Sequence, residues 1–166
     1  LDAMQGLVKE GLAYARSLDE RTAPQPIELG PLLQALAEDA RDMGWMVRVP
    51  EDCSGRVIGN PPALRRALWN LIENGVKFGE TVELTFACDA AHCEILVRDH
   101  GPGIPEAELE RVFEPFYRLE SSRNRDTGGV GLGLSIARNI ARAHGGELTL
   151  HNHPQGGLVA TLQLPR

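Results

Sequence analysis

The chain has 166 residues, 42% of them hydrophobic, and its 17 basic and 23 acidic side chains give a formal net charge of -6. This size supports one domain with a real core, and the acidic balance argues against a general nucleic-acid binder, which carries an excess of Lys and Arg on one face. No apolar run approaches the roughly 20 residues of a membrane span, so we expect this fragment to contact neither nucleic acid nor membrane.

The first predicted element is a helix over Leu1–Asp19 with a narrow apolar seam. Its apolar residues recur every three or four positions, the spacing of a helix that packs on a partner helix. Three prolines in Thr22–Pro31 cannot continue it, so we place a linker there, with a short extended piece at Ile27–Leu29. We therefore divide the chain into residues 1–22 and 23–166. Because it enters a periodic segment at once and without Met, we expect it to be part of a longer protein.

The remaining residues predict an α+β domain, a two-layer sandwich in which helices cover one face of a mixed sheet. Asn60 followed by Pro61 is a good helix start, because the Asn side chain accepts from free amides and Pro loses nothing in the first turn. Strands and helices do not alternate as in a parallel sheet. The predicted helices are Leu32–Met43, Pro61–Phe78 and Leu132–Ala143; the predicted strands are Trp45–Val49, Arg56–Ile58, Thr81–Ala87, Cys93–Arg98, Glu147–Asn152 and Leu158–Leu164.

The three cysteines, Cys53, Cys88 and Cys93, have neither metal-ligand spacing nor an even count. We interpret them as reduced thiols of a cytoplasmic domain. Cys88 and Cys93 could face each other across a hairpin, but only an oxidising compartment would keep them bonded.

A polar row lies beside the apolar stripe of the helix Pro61–Phe78. Asn70, Asn74 and Lys77 fall on this row when residues are placed at 100° intervals. An amide oxygen suits Mg²⁺, and a Lys can meet phosphate oxygens. The simpler interpretation is a solvent-exposed polar stripe in which Lys77 pairs with Glu73. The helix alone does not distinguish this from a ligand site.

Two glycine motifs follow. Residues 99–104 read Asp-His-Gly-Pro-Gly-Ile and place a carboxylate able to accept from a base amine at a strand end, although a plain Gly-Pro turn fits as well. Residues 127–135 read Thr-Gly-Gly-Val-Gly-Leu-Gly-Leu-Ser and open a helix, where free amides and the helix dipole favour phosphate. Three better-known glycine loops are excluded. A dinucleotide-binding loop follows a strand directly, and a P-loop contains Gly-Lys-Ser/Thr, but these residues have neither feature. A protein-kinase loop precedes a strand that carries a Lys, and no such strand follows here.

Between these motifs, residues 112–118 read Val-Phe-Glu-Pro-Phe-Tyr-Arg, with Arg123 and Arg125 further on. Three aromatics in five residues followed by arginines are typical of a hydrophobic latch on a positively charged lid. A surface loop anchored by aromatics is the alternative. An irregular stretch of this length in a small domain is more often functional or disordered than without a role.

The order of these segments resembles the N, G1, F and G2 boxes of sensor histidine kinases, whose ATP-binding fold is shared with gyrase, Hsp90 and MutL. The likeness covers about residues 24–166 and implies a protein-histidine kinase domain that binds ATP and Mg²⁺. By resemblance, Asn74 would coordinate magnesium, Lys77 would contact the phosphates, Phe78 would flank the adenine and Asp99 would accept from its amine. Further ATP contacts implied in the same way are Asn70, Gly101, Gly103, Ile104, Tyr117, Arg118, Gly129, Val130, Gly131, Leu132 and Gly133.

Asn70 helps to separate a kinase from an ATPase. In hydrolysing relatives, a Glu one helical turn before the magnesium-binding Asn activates water, whereas the amide of Asn70 cannot take a proton. Glu73 cannot replace this base, because it lies about 100° round the helix from Asn74 rather than one turn before it. Fast hydrolysis of ATP is therefore not expected. A GHKL-type ATPase, a non-catalytic nucleotide sensor and a serine kinase of this fold stay open as alternatives. Gly75 stands where the family more often has Ala, which lowers helix propensity by about 1 kcal/mol.

None of the five histidines has the acidic residue and Arg/Lys-Thr-Pro that typically follow the family's phosphoacceptor. The first helix resembles the second half of the helical hairpin that carries this acceptor and forms the dimer. The resemblance therefore implies three partners: the phosphoacceptor and dimerisation domain, a response regulator receiver domain, and a second copy of the parent in a homodimer. We expect the fragment to be cytoplasmic and its parent to be anchored in the bacterial inner membrane.

Overall fold

The computed structural model describes residues 2–18, 23–50, 54–118 and 131–166. Between the fifth strand and the last helix, two short 3₁₀ helices span Glu106–Glu108 and Arg111–Phe113. No helix in the described ranges is long and apolar enough to span a bilayer. The helices are α1 (Asp2–Leu18), α2 (Leu29–Asp42), α3 (Pro61–Gly79) and α4 (Gly133–Ala143), and the strands are β1 (Gln25–Glu28), β2 (Met46–Arg48), β3 (Arg56–Gly59), β4 (Thr81–Cys88), β5 (His92–Asp99), β6 (Glu147–Asn152) and β7 (Leu158–Pro165).

The centre of the fold is a five-stranded mixed sheet in the order β2-β4-β5-β7-β6. β2 pairs with β4 in parallel, and the other three pairs are antiparallel. β1 and β3 form a separate antiparallel pair. Helices α2, α3 and α4 pack on the large sheet and enclose one apolar core, whose buried strand residues alternate with more exposed ones. This is the α+β sandwich predicted from the sequence, preceded by α1.

The described part of the predicted linker, residues 23–31, is more structured than its prolines predict. The extended piece is β1, and α2 begins at Leu29, three residues before the predicted start. Pro31 falls in the first turn of α2, where a missing N–H removes no intrahelical bond. Leu29 is fully buried and its N–H donates to Gly55 O at 2.9 Å, so tertiary packing fixes this start.

The start of α3 is tied to the end of α4. Asn60 caps α3 as predicted, because its Oδ1 accepts from Ala63 N–H at 3.1 Å. The N–H of Asn60 itself donates to His144 Nε2 at 3.0 Å, and His144 Nδ1 lies 2.7 Å from Ile140 O. With Nε2 accepting, Nδ1 carries the proton and donates to that carbonyl. These bonds fix the polar row of α3 relative to α4.

Cys88 and Cys93 form a disulfide in the structure, so the expectation of reduced thiols is wrong for this pair. The two residues are direct partners in the β4–β5 ladder, next to the turn. Asp89 closes that turn by accepting hydrogen bonds from two of its backbone N–H groups. The disulfide therefore lies at the opposite end of the hairpin from Asp99. Cys53 lies outside the described residues.

Candidate nucleotide-binding site

A cleft of about 920 Å³ runs along the polar row of α3. Its walls come from α3, the end of β5, the segment after β5, the start of α4 and β7, and residues of α1 and α2 complete the lining. These parts are distant in sequence but adjacent in the fold. The cleft brings together most of the residues that the family resemblance singles out, namely Asn70, Asn74, Lys77, Phe78, Asp99, Gly103, Ile104, Tyr117, Arg118, Gly131 and Gly133.

Asp99 ends β5 and places a buried carboxylate in one end of the cleft, with 4% of the residue exposed. Its Oδ1 accepts from the N–H groups of Gly101, at 2.9 Å, and Leu158, at 3.1 Å. Among the described residues, Oδ2 accepts no hydrogen bond. One oxygen thus orients the carboxylate, and the other is left to accept from a ligand.

Backbone packs tightly around this end of the cleft. A Cβ on Gly101 would lie 2.3 Å from Phe78 O, and Gly103, at a φ of +75°, would place a Cβ 2.5 Å from Asn152 Oδ1. Asn152 binds both backbone groups of Ile104: its Oδ1 accepts from the N–H at 2.9 Å and its Nδ2 donates to the carbonyl at 2.7 Å. Only glycine fits at these two positions without a shift of the pocket.

The other end of the cleft combines α3 with the N-terminus of α4. Asn70 Nδ2 lies 3.4 Å from Gly133 O, so the polar row passes directly beneath the first turn of α4. Asn74 also faces the cleft, and Lys77 Nζ lies 3.1 Å from Glu73 Oε1. Free amides at a helix start, two neutral amides and an ammonium form an environment suited to phosphate.

The donor set at this end also fits magnesium. No cluster of three or more His, Cys, Asp or Glu that could hold a metal occurs within the described ranges. Mg²⁺ bound to a nucleotide needs no such cluster, because it keeps several waters and takes only one or two protein ligands besides phosphate oxygens. The amide oxygen of Asn74 has the chemistry of such a ligand.

Leu132 differs from the other predicted contacts. Its side chain is fully buried in the core, so only its backbone is available to a ligand. The predicted contacts Gly129 and Val130 lie outside the described residues, as do the arginines Arg123 and Arg125 of the predicted lid.

The two ends of the predicted lid meet at the edge of the cleft. Phe116 N–H donates to Gly131 O at 3.0 Å, and a Cβ on Gly131 would lie 2.8 Å from Tyr117 O. Gly131 has a φ of +81° and Phe116 a φ of +67°, which is uncommon for a non-glycine residue. The Tyr117 hydroxyl also donates to Glu108 Oε2. Residues on either side of the lid are therefore held together at its base.

Helix α4 anchors the entry to the lid. The buried Ser135 Oγ donates to Phe113 O at 2.6 Å, and the Arg138 guanidinium lies 4.1 Å from the centre of the Phe113 ring. Arg138 also bridges Glu110, at 2.6 Å, and Glu147, at 3.2 Å. The helix that begins beside Asn70 thus also holds the segment leading into the predicted lid.

Several residues of the cleft were not expected from the sequence. Leu158 and Asn152 support the Asp99 end but come from β7 and β6, and no local signal connects them with the glycine motif. Lys9 of α1 and Met43 at the end of α2 line the outer cleft through tertiary placement alone. Arg66 could have been found, because it lies one helical turn before Asn70 on α3.

Comparison with known proteins identifies the fold and its relatives. Residues 59–166 match the profile of the family described as histidine kinase-, DNA gyrase B-, and HSP90-like ATPase. The chain is 41% identical to the sensor histidine kinase GtrS of Pseudomonas aeruginosa over 100% of its own length and 34% of that protein. It is 35% identical to the sensor protein CutS of Streptomyces coelicolor over 96% of the chain and 40% of the relative. The chain thus spans about a third to two fifths of these proteins.

Solved structures give the same result. The mycobacterial sensor histidine kinase MprB superposes with a TM-score of 0.74 at 29% identity, covering 85% of this chain and 97% of that one. Full-length ShkA in complex with AMPPNP superposes with a TM-score of 0.81 at 26% identity, covering 99% of this chain and 36% of that one.

Proposed function

The chain belongs to the family of histidine kinase-, DNA gyrase B- and HSP90-like ATPases, and we propose that it binds Mg²⁺-ATP in the α3 cleft and transfers the γ-phosphoryl group to a histidine outside this chain. It is the ATP-binding catalytic domain of a sensor histidine kinase. The observation that carries the proposal is the polarity of the cleft, with a lone carboxylate oxygen at one end and amides, an ammonium and a helix start at the other.

At the carboxylate end, Asp99 recognises the adenine. Because Oδ1 is occupied by two backbone N–H groups, Oδ2 is the oxygen that accepts from the exocyclic amine of the base. Phe78 and Ile104 line the cleft beside it and provide apolar contact for the ring. The ShkA structure, which holds AMPPNP, supports a nucleotide in a fold of this kind.

At the other end, the phosphates lie between α3 and the first turn of α4. Lys77 contacts phosphate oxygens, the Gly131–Gly133 backbone approaches them, and Asn74, with Asn70 beside it, holds the magnesium ion. When bound, that ion offsets negative charge on the phosphates during transfer. Tyr117 and Arg118 line the cleft where the lid begins and meet the nucleotide from that side.

Two contacts favour transfer to a protein acceptor over hydrolysis. Asn70, which stands where a hydrolysing relative has its water-activating Glu, bonds to Gly133 O and cannot take a proton. Glu73, the nearest carboxylate on α3, is paired with Lys77. Neither group is suited to activate water.

The partners and location of the parent follow from the same proposal. We assign residues 1–22 to the dimerisation and phosphoacceptor hairpin and residues 23–166 to the catalytic domain. The acceptor histidine then lies on the remainder of that hairpin, within a homodimer, and passes phosphate to a response regulator receiver domain. We place this domain in the cytoplasm, where the Cys88–Cys93 bond of the structure would be reduced, with the parent anchored in the inner membrane.

Calorimetric binding of a non-hydrolysable ATP analogue with Mg²⁺ tests the proposal on this chain alone. Asp99→Asn replaces one carboxylate oxygen, Oδ1 or Oδ2, by an NH₂ donor, and Asn74→Ala removes the proposed magnesium ligand. Each variant should bind the analogue about tenfold more weakly or worse, because a contact to a charged group or to the metal is lost. Asp89→Asn makes the same chemical change at the far end of the hairpin and should leave binding unchanged. No binding by the unmutated chain, or equal affinity in all variants, would overturn the proposed site.

A further inference from the structure

Arg66 extends the polar row of α3 beyond the residues that the family resemblance singles out. It lies one helical turn before Asn70 and two before Asn74, and its exposed side chain lines the cleft. Each turn advances the row by about 6 Å along the helix axis. The same cleft is lined by Arg66 and, from α1, by Lys9 and Glu10.

Two adjacent arginines on α3 differ in their surroundings. Arg65 Nη2 contacts Asp39 Oδ2, so its charge is balanced by a carboxylate of α2. Arg66 has no hydrogen bond or ion pair with any residue that the structure describes. Its guanidinium therefore forms no ion pair among the described residues, although the carboxylates of Glu10, Asp39 and Asp42 also line the cleft.

The direction of the cleft indicates which part of a ligand Arg66 would meet. The base end is fixed at the C-terminal end of α3, where Gly101 packs against Phe78 O. The phosphate end lies toward the N-terminal half of α3, where Asn70 meets Gly133. A nucleotide lying in this direction places its last phosphate nearest to Arg66, and a guanidinium matches phosphate oxygens in a bidentate geometry.

We propose that Arg66 binds the terminal phosphate of a nucleoside triphosphate and makes the site prefer a triphosphate over a diphosphate. The inference rests on the proposed function, because it requires the base at Asp99 and the phosphates beside Asn70. It adds a specificity-determining residue that a diphosphate leaves without a partner.

The test compares Mg²⁺-bound β,γ-imido-ATP and ADP on the chain and on three variants, by calorimetry. Arg66→Gln should weaken imido-ATP about tenfold, as expected for loss of a hydrogen bond between charged groups, and should change ADP affinity by less than about twofold. Arg66→Lys keeps the positive charge but loses the bidentate geometry of the guanidinium, so its affinity for imido-ATP should lie between those of the unmutated chain and Arg66→Gln. Arg65 also lines the cleft but is paired with Asp39, so Arg65→Gln removes the same charge one residue away and controls for the general effect of charge on the two nucleotides.

The outcomes separate the two proposals. If the unmutated chain binds neither nucleotide, the proposed function fails and this inference fails with it. If it binds both and Arg66→Gln weakens both equally, or neither, the nucleotide site stands and only the role of Arg66 is overturned. A selective loss that Arg65→Gln reproduces would also overturn it, since total charge would then explain the effect. Unfolding curves without nucleotide confirm that each variant is folded.

Discussion

Replacing Gly75 by Ala should destabilise the protein, although the substitution improves helix propensity. Gly75 lies in the interior of α3, where Ala is favoured over Gly by about 1 kcal/mol. A Cβ at this position would lie 2.7 Å from Val82 Cγ2, and Val82 is fully buried in β4. Because the core around it is close-packed, the valine methyl has no free volume to enter.

The magnitude follows from these opposing effects. Overpacking a core site by one methyl group costs about 1–3 kcal/mol, so after the propensity gain Gly75→Ala should lower the free energy of unfolding by about 1 kcal/mol. Val82→Ala alone should lower it by about 2 kcal/mol through lost burial and a small cavity. When Val82 is already Ala, the clash is gone and Gly75→Ala should raise stability by about 1 kcal/mol. The coupling free energy between the two sites is therefore about 2 kcal/mol.

Urea unfolding of the chain, the two single variants and the double variant measures all four corners of this cycle. The reasoning is refuted if Gly75→Ala stabilises the unmutated chain by its full propensity gain, since the contact with Val82 would then carry no energy. It is equally refuted if the effect of Gly75→Ala is the same in both backgrounds.

Two further predictions concern α4. Ser135→Ala leaves Phe113 O without its buried donor and should lower the free energy of unfolding by about 1–3 kcal/mol in urea titrations; an unchanged midpoint would show that this bond does not anchor the lid entry. The pKa of Glu147 lies below its ordinary value of 4.5, because the burial that raises it is outweighed by the Leu148 N–H and by the guanidinium groups of Arg142 and Arg138. The ionised carboxylate therefore stabilises the fold above pH 4.5, and this contribution disappears as the pH falls through the lowered pKa. Glu147→Gln should thus destabilise at neutral pH and cost progressively less as the pH is lowered below 4.5, and a loss that does not change with pH would argue against a role for the charge.

Features that depend on local chemistry could be read from the sequence. Asn60 was expected to cap α3 because of its position before Pro61, and the structure confirms the bond to Ala63 N–H. The row of Asn70, Asn74 and Lys77 follows from helical periodicity, and all three line one cleft. Repeating residue types and short-range hydrogen bonding are sufficient for such predictions.

Features that depend on contacts between distant segments could not be predicted. Asn152 supports Ile104 from 48 residues away, and nothing near either residue indicates the pairing. The Cys88–Cys93 bond is a local case: the sequence indicated that the two residues could face each other across a hairpin, as they do, but their count and spacing favoured reduced thiols. The early start of α2 likewise reflects burial of Leu29, which overrides the weak propensity signal of the prolines.

One of the two amides that orient Asp99 comes from Leu158, 59 positions later in the chain. A growing polypeptide can form α3 and the β4–β5 hairpin well before that residue is synthesised, but the carboxylate would then lack one of its two backbone donors. Recognition of the base is thus among the last properties that the folding chain acquires, since pairings of large sequence separation form slowly. A ligand that binds only after β7 is in place stabilises the entire sheet rather than one loop, so nucleotide should raise the resistance of distant strands to hydrogen exchange as well as that of the cleft.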